Sequence, residues 1–295
     1  QGPGTIARQG SLTVPTTNEA RRELAGIPGS VVVVADTAYR NETPATTIKD
    51  ILDYVPGVFV QPRWGEDSRL SIRGSGLSRN FHLRGVSLLM DGMPINTADG
   101  HADFQEIDPT AYRYTEVYKG AAGMRFGLST LGGAVNFISP TGRDASLFGV
   151  SLDIGSFGFH RLQVSTGDAR GPFDYFITGS WQEQDGYRVH SAGEATRLSA
   201  NFGYRISPDV ETRFFFNAND IKQQIPGTVT RSVALGGSSR SCCRHRDALS
   251  LCNLSSAHTF NAIRDIGFVD AINGFVSRIS YVEPRRLRQH LAGAQ

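Results

Sequence analysis

The residues best suited to nucleophilic or metal chemistry, Cys242, Cys243 and Cys252, all lie after residue 231. They lack Cys-x-x-Cys spacing, so they form no zinc motif that sequence alone supports. The seven histidines show no metal-ligand spacing either. His101 and Asp103 make one spaced pair, short of the three or four ligands a structural or catalytic site needs. Ser, His and Asp are all present, but no Gly-x-Ser-x-Gly elbow holds a nucleophile. Gly120, Gly123, Gly127, Gly132 and Gly133 crowd one stretch. No Gly-Lys-Ser/Thr follows them, so a phosphate-cradling loop is a poor reading. Glycines so placed permit tight turns and close backbone approach.

Five charges, Arg73, Arg84, Glu116, Lys119 and Arg125, interrupt otherwise apolar strands. They lie either on solvated strand faces or in a buried setting where each must be paired. Neither alternative makes them catalytic.

The elements that must position these residues fall into two textures. Ser30–Ala35 is a β-branched run that reads as a buried strand. Ile48, Ile51, Leu52 and Val55 recur at helical spacing within Thr46–Val55, and Pro56-Gly57 ends that helix. Asn18–Leu24 offers a helical turn in a flexible lead-in, residues 1–28. Short strands follow at Val58–Val60, Ser71–Arg73, Leu83–Val86, Ser87–Met90, Thr115–Lys119 and Ala134–Ile138, with a helical turn at Thr110–Arg113. Residues 29–143 thus read as a mixed α+β unit.

After Gly142 the chain alternates strictly. Five segments built around Leu152, Val164, Ile177, Phe202 and Phe214 carry apolar residues on one face and polar residues on the other. Each runs for about ten residues, the length that crosses a bilayer when tilted. Phe173, Trp181 and Tyr204 lie near strand ends, as interfacial girdles require. Ser207-Pro-Asp209 is a tight turn and 167–172 is short, whereas 182–195 is longer and polar. An outer-membrane barrel fits this pattern; a soluble antiparallel sandwich also alternates. The chain of 295 residues has 39% hydrophobic residues and no apolar run approaching a membrane-spanning helix. Its net charge of +2 gives no reason to expect nucleic acid.

Seven words, in order, carry a resemblance. They are Ile51-Leu-Asp-Tyr-Val-Pro-Gly-Val58, Leu70-Ser-Ile-Arg-Gly-Ser-Gly76, Phe81-His-Leu-Arg-Gly-Val86, Leu89-Met-Asp-Gly-Met-Pro-Ile-Asn96, Glu116-Val-Tyr-Lys-Gly120, Arg125-Phe-Gly127 and Thr130-Leu-Gly-Gly-Ala-Val-Asn-Phe-Ile138. Together they resemble the plug domain of TonB-dependent outer-membrane receptors, with the barrel strands continuing the match to about residue 230. The resemblance implies an α+β plug at 29–143, followed at 144–231 by the first five antiparallel strands of a transmembrane β-barrel, 22-stranded in that family. It implies uptake of a ferric siderophore or similar iron chelate across the outer membrane, driven by TonB and its inner-membrane energising complex. Outer-membrane lipid is the expected surround. No enzymatic activity and no cofactor are implied.

Site residues follow from the same resemblance. Arg63 takes the place after the Val58–Val60 strand where related receptors put a ligand-facing arginine, with Trp64 beside it. His101 and Asp103 lie in the other expected apex loop, 98–104. A cationic arginine suits an anionic ferric chelate, and a tryptophan offers a flat contact. Arg73 and Lys119 are expected to pair with carboxylates on the inner barrel wall, with Arg84, Glu116 and Arg125 in the same locking group. Leu12-Thr13-Val14 is the expected TonB contact, an extended segment bound by strand addition.

After Arg231 the alternation disappears. Residues 232–295 carry eight arginines, no lysine and four acids, the abrupt break a reading-frame shift leaves. Low order is expected there, with a helix near Ser256–Arg264. A barrel of 22 strands needs on the order of 450 residues, so this chain is expected to be a truncated, transport-incompetent form. A soluble plug-like module that binds ligand or TonB without transport is the alternative.

Overall fold

The computed structural model describes residues 10–40, 45–75, 83, 85–97, 100–127, 130–188 and 190–226, and the backbone of Ser256–Thr259 and Val276–Tyr281. Helix α1, Thr17–Ala25, opens on a capping box. The Thr16 N–H donates to the Glu19 carboxylate (2.8 Å) while Thr16 Oγ1 accepts from the Glu19 N–H (3.4 Å), which satisfies backbone donors the first turn leaves free. Helix α2, Ile48–Leu52, starts where Asp50 accepts from the Thr46 and Thr47 N–H groups. Gly57 follows it with φ +80° and turns the chain into the next strand.

Five strands form the plug sheet: β1 (Ser30–Ala35), β4 (Val86–Met90), β5 (Met93–Pro94), β6 (Tyr114–Lys119) and β7 (Gly133–Ile138). Their order is β1-β6-β7-β4-β5, with β4 and β7 parallel and the other neighbours antiparallel. Strands β2 (Val58–Pro62) and β3 (Ser68–Ile72) form a separate two-stranded hairpin. Ile48, Ile51 and Leu52 of α2 join Val60, Leu70, Ile72, Leu88, Val117, Val135 and Phe137 in one buried apolar core. Fully burying side chains of this size contributes roughly 1.5–3 kcal/mol each.

The five alternating segments are strands β8 (Gly149–Ile154), β9 (His160–Arg170), β10 (Phe173–Gln184), β11 (Gly193–Ser207) and β12 (Val210–Gln224), an antiparallel meander. Which face is buried separates the two readings the alternation allowed. The polar phase is buried: Arg161, Asp174, Ser180, Gln182, Arg197, Asn201 and Arg213 face the plug. The apolar phase, Leu162, Val164, Leu198, Phe202 and Phe214 among it, is exposed. A soluble sandwich buries the opposite phase; a barrel in lipid has a polar interior and an apolar exterior. Phe173 pairs across strands with Tyr204, and Trp181 lies eight residues further along β10. At about 3.4 Å per residue that is about 27 Å along the strand, so the aromatics bracket a membrane-sized apolar band.

Some expectations change. Thr110–Arg113 is a turn rather than a helical one: Asp108 accepts from both the N–H and the hydroxyl of Thr110, an alternative to helix for the backbone. The strand expected from Leu83 begins at Val86, because Gly85 (φ +78°) and a Val86 N–H to Leu83 carbonyl bond make a turn there. In the tail, Ser256–Thr259 is β13, antiparallel to Ile221–Gln224, and not helical. Val276–Tyr281 is β14, paired with Val210–Phe215. The open edge of β12 presents unpaired backbone groups that recruit extended chain.

Candidate functional site

Two loops of the plug meet at one end of the wall. The β2–β3 hairpin turns through Arg63–Asp67, with Arg63 N–H donating to the Asp67 carbonyl and Asp67 N–H to the Trp64 carbonyl, both 2.9 Å. The Arg63 guanidinium lies 3.9 Å from the Trp64 ring centroid and 3.2 Å from the Asp67 carboxylate. The second loop closes where the Thr97 N–H donates to the His101 carbonyl (2.8 Å). It ends in a 3-10 turn, Phe104–Glu106, which Asp103 caps through the Gln105 N–H (2.9 Å). The two loops share an electrostatic field: burial pushes the Asp67 carboxyl up to about 6, with the charge of Asp103 adding and that of Arg63 opposing. Burial likewise raises Asp103, and burial with the Asp103 charge takes Glu106 to about 7. Asp67 beside Arg63 and Asp103 of the second loop are thus near enough to feel each other's charge.

The wall fixes both loops. Buried Arg197 on β11 donates to the Gln105 carbonyl through Nε (2.9 Å) and Nη2 (2.7 Å), and pairs with buried Glu66 of the hairpin. Gln182 on β10 donates to the second Glu66 oxygen (2.8 Å). Ser180 donates to Asp108 (2.5 Å), whose carboxyl is held low: burial opposes, but Arg197 and the Ser180 and Thr110 bonds outweigh it. Gly65 abuts the Gln223 side chain at the end of β12, beside the long 185–192 connection.

The N-terminal segment docks at the opposite end, near the tight 208–209 turn. Leu12 N–H donates to Glu211 (3.0 Å), Thr13 Oγ1 donates to the same carboxylate (2.8 Å), and Ser11 Oγ joins them. Arg213 donates to Thr13 Oγ1 (3.0 Å), to Asn201 (2.7 Å) and to Asp174 (2.9 Å). Gly203 makes room for it, since a Cβ there would lie 2.3 Å from the guanidinium. Val14 packs with Ala20, Tyr114, Ile138 and Phe215. Leu12–Val14 is thus bound to the wall as a bend rather than as a strand.

Four of the five charges expected to lock the plug lie among the described residues. Lys119 donates to the Pro56 carbonyl (3.0 Å). Glu116 accepts from the Tyr118 hydroxyl and the Asn136 amide, each 2.9 Å. Arg125 lies over the Tyr118 and Phe126 rings at 5.5 and 5.3 Å. Exposed Arg73, with φ +53°, runs beside Gly120. Arg84 lies outside the described residues, as do Cys242, Cys243 and Cys252. The ties between plug and wall described above come from Arg197, Arg213, Glu66 and Asp108, which sequence reasoning missed. For Arg197 and Arg213 the available signal was a charge in the polar phase of a strand whose other phase is apolar; Glu66 and Asp108 lie outside the strands and carry no such signal. No group of three or more His, Cys, Asp or Glu side chains able to hold a metal occurs among the described residues.

Comparison with known proteins agrees with this architecture. Residues 23–134 match the TonB-dependent Receptor Plug Domain family. The chain is 28% identical over 192 residues to the vitamin B12 transporter BtuB of Vibrio vulnificus, covering 65% of this chain and 30% of that protein. It is 27% identical over 224 residues to the ferrichrome outer membrane transporter/phage receptor of Escherichia coli, covering 73% and 28%. Among solved structures, the unliganded ferric citrate transporter FecA superposes with a TM-score of 0.63 at 18% identity, covering 81% of this chain and 37% of FecA. The chain spans about a third of the length of these relatives.

Proposed function

We propose that this chain, which belongs to the TonB-dependent outer-membrane receptors, is the plug and first wall strands of a receptor that takes up an anionic ferric chelate. It resides in the outer membrane and is not an enzyme, its relatives being transporters and receptors. The observation that carries the ligand reading is the Arg63 guanidinium stacked on Trp64 in the β2–β3 turn, where Asp67 holds it until a ligand carboxylate competes. Arg63 supplies a cation that a carboxylate-rich chelate pairs with, and Trp64 supplies a flat apolar contact. His101 and Asp103, on the second loop, are assigned to the same ligand. Leu12–Val14 at the opposite end is the segment we assign to TonB; strand addition requires it to leave Glu211 first. Arg73, Arg84, Glu116, Lys119 and Arg125 are plug residues to which we assign a locking role toward the inner wall; Glu116 and Lys119 also make bonds within the plug.

Transport requires a closed wall, because an open strand edge in lipid leaves backbone groups unsatisfied. Strands β8–β12 do not close such a wall, so the plug with these five strands alone is expected to bind but not to transport. The outward apolar face argues against the soluble-module reading, since that surface needs lipid or detergent. The test is a titration of the chain in detergent with ferric citrate and with cobalamin, followed by Trp64 fluorescence in a Trp181→Phe background. Ferric citrate is expected to quench, and Arg63→Gln to weaken binding at least tenfold. Quenching by cobalamin alone, or by neither, overturns the chelate reading.

A further inference from the structure

We infer that Arg197 is a positioning residue that sets the two ligand-facing loops in one arrangement relative to each other. The inference rests on the reading of those loops given above, but its geometry is independent of any ligand. The hairpin carrying Arg63 and Trp64 is a two-stranded sheet of its own, and the loop carrying His101 and Asp103 follows the edge strand of the five-stranded sheet. No shared ladder therefore sets their separation. Arg197 reaches both. Its guanidinium takes the Gln105 carbonyl through two nitrogens, at 2.9 and 2.7 Å, and the Glu66 carboxylate through one of them. Gln105 lies two residues after Asp103, and Glu66 two after Trp64. Both are anchored at the root of the residues they hold.

The chemistry demands arginine. A planar fork holds a carbonyl and a carboxylate in fixed directions at once, whereas an ammonium is a point charge on a flexible stem. Arg197 is 4% exposed and Glu66 7%, so water does not compete for either. The second Glu66 oxygen is taken by Gln182, which fixes the carboxylate plane and with it the direction of the arginine.

The test is a distance measurement by double electron–electron resonance on the full chain in lipid nanodiscs, with the three native cysteines replaced by serine. Nitroxides at Gln61→Cys and Thr97→Cys report the loop separation, and a second pair at Arg22→Cys and Tyr54→Cys reports the plug framework. Arg197→Lys keeps the charge opposite Glu66 but loses the fork. Arg197→Gln with Glu66→Gln removes both charges and leaves no buried ion behind. The expected result is one narrow inter-loop distance in the parent, lost to a broad distribution in both variants, with the framework pair unchanged. A narrow inter-loop distance in both variants overturns the inference. So does broadening of both pairs together, which would make Arg197 a general stabiliser. Absence of ferric citrate binding would sink the ligand reading while leaving the distance result to stand.

Discussion

The plug interior and the plug–wall junction are built from opposite materials. The interior is hydrocarbon, with Ile51, Leu52, Leu88, Val117, Val135 and Phe137 essentially shielded from water. The junction is ions and amides: Arg197 on Glu66, Arg213 on the Thr13 hydroxyl (3.0 Å), Asn201 on Ser139 and on the Pro140 carbonyl (2.8 Å). Apolar burial has no substitute partner when two surfaces separate. A hydrogen bond has one, because water replaces it at a net cost of about 1 kcal/mol. A domain built this way keeps its own fold while its seat in the wall remains exchangeable. On the function proposed above, passing cargo through an occupied lumen would draw on both properties.

The largest test of this contrast is Arg213→Gln. It takes one cation from each of the buried Asp174 and Glu211 carboxylates and leaves them Arg143 (3.1 Å) and Arg205 (3.4 Å); if the junction stays dry, unfolding in urea should show a loss of about 3 kcal/mol, the lower end for a broken buried pair. A loss below about 1 kcal/mol would mean that water already enters the junction, which would make it looser than drawn here. Next is Leu52→Ala in the plug core, expected to cost about 3 kcal/mol through lost burial and a residual cavity. Hydrogen exchange should localise that loss to the plug and leave the β9–β12 amides protected. Exposure of both regions together would erase the distinction between them.

A smaller effect depends on pH. The folded Glu106 carboxyl lies at about 7 against an ordinary 4.5, and Asp67 at about 6 against 3.8. The folded state therefore holds these protons more tightly than the unfolded chain, and stability falls as pH rises through 4 to 7. Urea midpoints measured at pH 5 and pH 8 should be higher at pH 5 for this contribution. Glu106→Gln should flatten the difference; an unchanged slope would assign the dependence elsewhere. The smallest expected effect is Thr16→Ala. It removes half of the capping box of α1 and should cost about 1 kcal/mol, seen as faster exchange in 17–25 with the sheet unaffected.

Much of this was legible because periodicity is local. The strands at Ser30–Ala35, Thr115–Lys119 and Ala134–Ile138 and the five alternating segments follow from which residue types recur at what spacing. The turn at Thr110 was misread because an aspartate two residues earlier captures its donors. A period does not record such side-chain competition. The tail strands β13 and β14 were missed for another reason: they exist only because β12 offers them an edge.

Alternation along β8–β12 established two faces but not which one is buried, since a sandwich and a lipid-facing barrel share the pattern. The seven plug words supplied the architecture, and with it Arg63 and Trp64, whose neighbourhood in sequence places them in one turn. The partners of Arg197 were beyond reach, because Glu66 and Gln105 lie 131 and 92 residues away from it. Local sequence fixes the elements and their faces through backbone geometry and side-chain period. Only the closed tertiary arrangement decides which buried charge meets which, because a buried ion accepts whatever partner the packing brings within hydrogen-bond distance.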